Sequence, residues 1–152
     1  MSRLTDAQAM RLGLALARAH ARQQQRLNER LGMWHGLDAS DFLLLDALAR
    51  ASHGGLPTLR LAQALHIAPS VLVRQLMPLE KTGLVARDAG AVLLRPAGRQ
   101  LHAEAAQTVG AVCAKAWAGV GLDPCGPDAL QSQLDAVASG AVIPTPSATP
   151  AP

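Results

Sequence analysis

The fold is decided by the stretch TLRLAQALHIAPSVLVRQLMPLEKTG, residues 58–83. It contains two short segments with helical apolar periodicity, separated by residues 66–69, His-Ile-Ala-Pro. In the second segment Leu72, Leu76 and Leu79 recur at i, i+4 and i+7, the spacing of one helix face, and the final glycine stands where a helix C-cap is expected. The pattern predicts a helix-turn-helix.

Positive charge is concentrated on the same part of the chain. The formal net charge is +3, but residues 47–103 hold seven Arg and Lys against two acids, +5, whereas residues 104–152 hold one Lys and four acids, −3. Ser70, Arg74 and Lys81 lie opposite the leucine stripe, on the face that a helix-turn-helix turns toward the DNA major groove. This distribution indicates a phosphate-bearing partner, with a solvated basic face as the alternative.

Length and composition indicate one domain, or one domain with an extension, and favour helices. The chain has 152 residues, of which 49% are hydrophobic and only 2% aromatic, so Leu, Ala and Val must fill the core. Arg3, Asp6 and Arg11 interrupt any apolar run at the start, and no stretch approaches the ~18 apolar residues of a membrane span. A cytoplasmic protein without membrane contact is expected.

No pattern of reactive side chains indicates catalysis. Cys113 and Cys125 do not form a metal motif, and the five histidines show no paired i, i+4 spacing, so neither a metal nor a cofactor is expected. A Ser/His/Asp or Cys/His arrangement, a phosphate-binding glycine loop and a carboxylate pair are also missing from the sequence. We therefore expect a protein that is not an enzyme.

Periodicity and capping residues divide the chain into helices and a hairpin. The predicted helices cover residues 5–31, 41–51, 59–65, 70–81, 96–117 and 129–139. The β-prone runs 84–87 and 91–95 predict a very tight hairpin, and Leu56 a short edge strand. Gly32 is expected to stop the first helix, and the Pro-rich tail, 143–152, to be disordered.

Several short motifs occur in a recognisable order and spacing. They are Leu37-Asp38 with Phe42 to Leu48, then Leu61-Ala62 and Leu65, Pro69-Ser70 with Arg74, Leu79-Glu80 with Gly83-Leu84-Val85, and Pro96-Ala97-Gly98-Arg99. Over about residues 10–140 the chain thereby resembles the MarR family of bacterial transcriptional regulators. The resemblance implies a mainly α fold, in which a winged helix-turn-helix core with a short β-hairpin wing is flanked by N- and C-terminal dimerisation helices. The implied segments are an N-terminal dimerisation helix, 1–36, a DNA-binding domain, 37–98, and C-terminal dimerisation helices, 99–142.

The resemblance also implies a function. The protein is expected to be a homodimer that binds double-stranded DNA at a pseudo-palindromic operator and represses nearby genes. A small aromatic or phenolic effector is expected to release it from the DNA. Trp34, His35 and Phe42 fall where the family's effector pocket lies, although packing is an alternative role for them. Two other hypotheses stay open: a ligand sensor or protein-interaction module with weakened DNA binding, and a redox switch through Cys113 or Cys125.

Two departures from the family pattern concern DNA binding. The hairpin loop Ala89-Gly90-Ala91 is shortened and lacks an arginine, so a short wing with little reach into the minor groove is expected. Pro78 lies inside the predicted recognition helix, which should therefore bend or end near Met77. Ala68 cannot cap that helix through its side chain.

The remaining polar and charged side chains define the expected DNA interface. Ser70, Arg74 and Gln75 are predicted to hydrogen-bond to base edges, and Val71 to contact a thymine methyl. Phosphates are expected to be bound by four basic residues, Arg60, Lys81, Arg87 and Arg95.

Overall fold

The computed structural model describes residues 3–51, 55–122 and 126–140. In these ranges the helices are α1 Asp6–His35, α2 Ala39–Arg50, α3 Thr58–Ala64, α4 Pro69–Lys81, α5 Pro96–Trp117 and α6 Gly126–Ser139. The strands are β1 Leu56–Pro57, β2 Val85–Asp88 and β3 Ala91–Leu94, which form an antiparallel sheet in the order β1-β3-β2. The predicted mainly α winged helix-turn-helix is confirmed, whereas the predicted tail and Cys125 lie outside the described residues.

Helix α1 is longer than the sequence predicted. Thr5 caps it through a capping box with Gln8. The prediction that Gly32 ends the helix was wrong, because a helix tolerates an interior glycine at a cost of only about 1 kcal/mol relative to alanine. The chain leaves the helix four residues later at Gly36, whose left-handed φ of 66° suits glycine.

Helix α2 is fixed at its start by three side chains. Asp38 is the N-cap and accepts a hydrogen bond from the Asp41 backbone, while the Asp41 carboxylate accepts one from the Asp38 backbone. The Oδ1 atom of Asn28 in α1 accepts a further bond from the backbone N–H of Ala39 at 2.8 Å. This contact anchors the beginning of α2 to α1 and starts the helix two residues earlier than predicted.

Helix α4 does not end at its internal proline. It runs from Pro69, which occupies the first turn after an uncapped Ala68, to Lys81 and includes Pro78. Of the two predicted outcomes, a bend or an end of the helix near Met77, the end was therefore wrong. Since Pro78 is exposed, water can hydrate the carbonyl that loses its amide partner.

The hairpin is the tightest connection that two antiparallel strands allow. Ala89 and Gly90 both have positive φ, 46° and 79°, as in a two-residue type I′ turn. Strand β1 pairs with the other side of β3, with Leu56 opposite Val92. The predicted hairpin and edge strand are confirmed.

One apolar cluster joins the sheet and helices α1 to α5. Its buried members are Leu31, Leu37, Ala39, Phe42, Leu44, Leu45, Leu48, Leu61, Ala62, Leu72, Leu76, Leu79, Val85, Val92, Leu94 and Ala105. Helix α5 approaches the sheet at Gly98, where a Cβ atom would lie 2.2 Å from the carbonyl oxygen of Leu84. The glycine of the Pro-Ala-Gly motif is therefore required by backbone packing.

The ends of the chain differ from this core. Every described residue up to Arg22 is exposed, and α6 has no buried residue. The chain divides after Ala116 into two compact units, and α6 belongs to the second. Among the described residues, no helix is both long enough and apolar enough to cross a membrane.

Candidate nucleic-acid interface

The exposed side of α4 is a mixed surface of polar, cationic and apolar side chains. We call it the reading face, and it consists of Ser70, Val71, Arg74, Met77, Pro78 and Lys81, all exposed. A helix turns by about 100° per residue, so the other five residues lie within about 60° of Arg74 around the helix axis. The predicted stripe of Leu72, Leu76 and Leu79 is buried on the other side, so the core fixes which side chains α4 presents.

Gln75 lies away from the reading face. It is half-buried, and its Nε2 atom is buried without a well-formed hydrogen bond. Its amide lies beside Asp41 of α2, where burial raises the pKa of the carboxyl and the Asp38 backbone and the Gln75 side chain partly offset the rise. In this conformation Gln75 connects α4 to α2 and does not present its amide to a base.

Hydrogen bonds connect the wing to the helix-turn-helix at two points. The Nε and Nη2 atoms of Arg87 in β2 donate to the two carboxylate oxygens of Glu80 in α4 at 2.7 and 2.8 Å. This pair raises the pKa of Arg87. At the wing tip the carbonyl of Gly90 accepts hydrogen bonds from the backbone N–H and the hydroxyl of Thr58, at 3.1 and 3.2 Å. The short wing is thus held against α3 and α4.

The other predicted phosphate-binding residues are exposed. Arg60 lies on α3, Lys81 at the end of α4 and Arg95 directly after β3. Among the described residues, none of the three forms an ion pair, and neither does Arg74. They differ in this from Arg87, whose charge is already compensated by Glu80.

The three predicted effector-pocket residues have separate surroundings. Trp34 is 67% exposed, and His35 Nε2 lies 2.8 Å from Thr108 Oγ1 of α5. Phe42 belongs to the core and stacks on His102, with ring centroids 5.3 Å apart. Of the three, Trp34 lines a cavity.

That cavity lies between α1 and α5 and has a volume of about 490 Å³. It is lined by Arg26, Glu29, Arg30, Trp34, Thr108, Ala111, Val112 and Lys115. The lining thus combines three cationic side chains with one acid, Glu29, which accepts a hydrogen bond from Gln25. The spacing of Arg26, Arg30 and Trp34 by four residues could have indicated a shared face of α1, but the contribution of Lys115 depends on the tertiary pairing with α5.

Two further contacts connect α5 to the rest of the first unit. His102 Nε2 lies 3.0 Å from Asp46 Oδ1 of α2, and Asp46 also accepts from Arg50 Nε at 2.8 Å. The Sγ atom of Cys113, which is half-buried, accepts a hydrogen bond from Gln23 Nε2 of α1 at 3.4 Å. Helix α5 is therefore in polar contact with both α1 and α2.

Comparison with known proteins gives a clear result at the level of structure. No protein-family model and no curated protein matches the sequence. Among solved structures, the chain is similar to the transcriptional regulator BldR from Sulfolobus solfataricus, with a TM-score of 0.78 and 22% identity over 91% of this chain and 100% of that one. It is also similar to Sco3205, a MarR family transcriptional regulator from Streptomyces coelicolor in complex with DNA, with a TM-score of 0.76 and 22% identity over 92% and 91%.

A third structure combines somewhat higher identity with lower structural overlap. It is the MarR family protein Rv2887 of Mycobacterium tuberculosis in complex with DNA, with a TM-score of 0.67 and 27% identity over 83% of this chain and 96% of that one. Together these comparisons define the class of the fold as a winged helix-turn-helix. More particularly, it is the fold of MarR family transcriptional regulators, as the sequence resemblance predicted.

Proposed function

We propose that this protein is a cytoplasmic, dimeric transcriptional regulator that represses nearby genes by binding a pseudo-palindromic operator. The observation that carries the proposal is the reading face, on which Arg74 and Lys81 are exposed opposite a buried leucine stripe. A recognition helix needs this arrangement, because the core side fixes its orientation while the outer side contacts bases and phosphates. The complexes of Sco3205 and Rv2887 with DNA support the same use of the fold.

Exposed apolar side chains support the dimer. In the first half of α1 and just before it, five large apolar residues are 44–61% exposed: Leu4, Met10, Leu12, Leu14 and Leu16. In α6, Val137 is 70% exposed. Helices this poorly covered gain most of their stability from packing, and a second copy would supply it through residues 1–36 and 99–142.

DNA binding is tested by separating base readout from phosphate contacts. We expect Arg74→Ala to cost about 1–3 kcal/mol on the specific duplex and to relax discrimination between sequences, because it removes a contact to a base. Lys81→Ala should lower affinity equally for all duplexes and reduce the salt dependence of binding. Arg50→Ala, which removes an exposed arginine outside the interface, is the control, and the reverse pattern for Arg74 and Lys81 would contradict the assignment.

We further propose that a small aromatic acid releases the protein from DNA by binding the cavity between α1 and α5. Trp34 offers an aromatic surface, and Arg26, Arg30 and Lys115 offer charge for a carboxylate. Among similar structures, Rv2887 is seen in complex with salicylic acid and CouR from Rhodococcus jostii bound to p-coumaroyl-CoA. The salicylic acid complex supports an effector of this class, and the p-coumaroyl-CoA complex supports only an aromatic group in the ligand.

The effector is tested with two ligands of the same shape and different charge. Benzoate should weaken the protein–DNA complex, whereas neutral benzamide should act at much higher concentration. Arg30→Gln should reduce the response to benzoate, while Arg18→Gln, on the same helix outside the cavity, should not. Equal responses to benzoate and benzamide would contradict an anion site.

One observation favours an alternative function. Half of the reading face is apolar, and the wing tip carries no cation. A protein of this fold with weak DNA binding could act as a ligand sensor or as a protein-interaction module. Equal affinity for operator and unrelated DNA would support that alternative.

A further inference from the structure

The apolar residues of the reading face are the starting point. Val71 is 39% exposed and Met77 58% exposed, and together with Pro78 they make up half of that face. Apolar groups on a surface that binds DNA are costly when they cover unpaired hydrogen-bonding groups of the bases. They are favourable when they cover an apolar group.

The major groove offers one such group, the C5-methyl of thymine. A G·C pair has no methyl group there, so hydrocarbon placed against it would mainly desolvate polar groups without replacing their bonds. Gln75 cannot form the pair of hydrogen bonds by which a glutamine recognises adenine, because its amide nitrogen is buried in this structure. Ser70 can hydrogen-bond to bases of either kind of pair, so selection of A·T pairs by α4 falls to the apolar side chains.

Spacing places these side chains around Arg74. Val71, Arg74 and Met77 follow one another at intervals of three residues, each a rise of about 4.5 Å along the helix. Val71 and Met77 lie about 60° to either side of Arg74 and about 9 Å apart along the axis, which corresponds to between two and three base-pair steps of about 3.4 Å. The three side chains can thus reach a window of three to four base pairs.

We propose that α4 reads a half-site in which A·T pairs flank, on both sides, the G·C pair contacted by Arg74. The thymine methyls of the flanking pairs lie against Val71 on one side and Met77 on the other. Met77 is then a residue that determines specificity. The expected half-site has a G·C pair with one A·T pair on each side, and the thymine of each A·T pair can belong to either strand. This inference rests on the proposed function, since it requires sequence-specific DNA binding.

The test removes single methyl groups from the DNA. Duplexes that bind the full-length protein are enriched from a random pool, and each thymine of one half-site is then replaced by deoxyuridine, which differs only in lacking the C5-methyl. Affinity is measured by fluorescence anisotropy. We expect the affinity to fall about fourfold when the thymine at one position on each side of the guanine is replaced, because each replacement removes one buried methyl-sized group.

Protein variants assign each methyl to its reader. Val71→Ala should abolish the sensitivity to deoxyuridine at one of the two positions, and Met77→Ala at the other, with thermal unfolding showing that both variants are folded. Leu43→Ala removes an apolar side chain of α2 outside the reading face, 52% exposed against 58% for Met77, and should keep the wild-type pattern.

The outcomes separate the inference from the proposed function. An enriched operator whose affinity is unchanged by every deoxyuridine overturns the methyl readout and leaves specific repression standing. Sensitivity that survives in both Val71→Ala and Met77→Ala also overturns it, because other side chains must then contact the methyls. If no sequence is enriched from the random pool, the proposed function is overturned, and this inference with it.

Discussion

The winged-helix core and the terminal helices use the same apolar residue types in opposite ways. In the core, Leu44, Leu72 and Val92 are completely buried within one chain. In α1, Leu12 and Leu14 are more than half exposed although they belong to an equally regular helix. The core buries its large apolar side chains within a single chain, whereas the first half of α1 leaves such side chains exposed.

The largest expected effect separates these two regions. Leu76→Ala should lower the free energy of unfolding by about 3 kcal/mol, because it leaves a cavity at a fully buried site. Leu12→Ala should change the unfolding of dilute protein by less than about 0.5 kcal/mol and instead weaken the dimer. Urea unfolding at two protein concentrations, with sedimentation to measure dimer dissociation, tests both. Equal losses of unfolding free energy in dilute protein would show that the two regions do not differ in this way.

Two glycines of α5 extend the comparison between closely packed and open positions. Gly98→Ala should cost about 2 kcal/mol, since the new Cβ would collide with the Leu84 carbonyl and the Leu94 side chain. Gly110→Ala, further along α5 with no atom within 4 Å of the new Cβ, should stabilise the helix by up to about 1 kcal/mol. Chemical denaturation of the two variants is the measurement, and a stabilising Gly98→Ala would contradict the close packing of α5 on the sheet.

The wing turn should respond in the opposite direction from the strand beside it. Ala89→Gly should stabilise the protein by about 1 kcal/mol, because glycine adopts a φ of 46° without the penalty that alanine carries. Ala86→Gly, in the extended backbone of β2, should destabilise by about 0.5–1 kcal/mol. The difference in thermal midpoints checks this, and two losses of similar size would refute the left-handed turn.

The smallest expected effect depends on pH. Burial raises the pKa of Asp41 in the folded protein, so the folded state holds that proton more tightly than the unfolded chain does. Relative to Asp41→Asn, the wild-type protein should gain stability as pH falls toward the titration range of the carboxyl, and lose it as pH rises. Solvent screening of this half-buried group keeps the change to roughly 0.5 kcal/mol or less. Parallel stability curves for the two proteins would contradict the burial.

Local sequence signals were sufficient for much of the fold. The leucine spacing of the stretch at residues 58–83 predicted the buried side of α4. Gly83, which was expected to close this helix, follows the C-cap Thr82 with a left-handed φ of 75°. The tight hairpin followed from two β-prone runs separated by only three residues, and Asp88 joins β2 so that a two-residue turn remains. These features depend on neighbouring residues, which is why the sequence could reveal them.

Features that depend on tertiary contacts could not be predicted in this way. Gly32 was predicted to end α1, but the helix continues to Gly36. The inward position of Gln75 depends on α2, and the pairing of Arg87 with Glu80 depends on how the wing folds back on α4. The cavity beside Trp34 needs both α1 and α5, so its cations could not be assigned to one site from their separate positions in the chain.

Sequence-specific DNA binding is the central claim, and one measurement tests it most directly. Fluorescence anisotropy at physiological salt compares a duplex enriched from a random pool with a scrambled duplex of the same composition. We expect the enriched duplex to bind at least about 10³-fold more tightly, the usual margin of specific recognition. Equal affinity for the two duplexes would contradict the account.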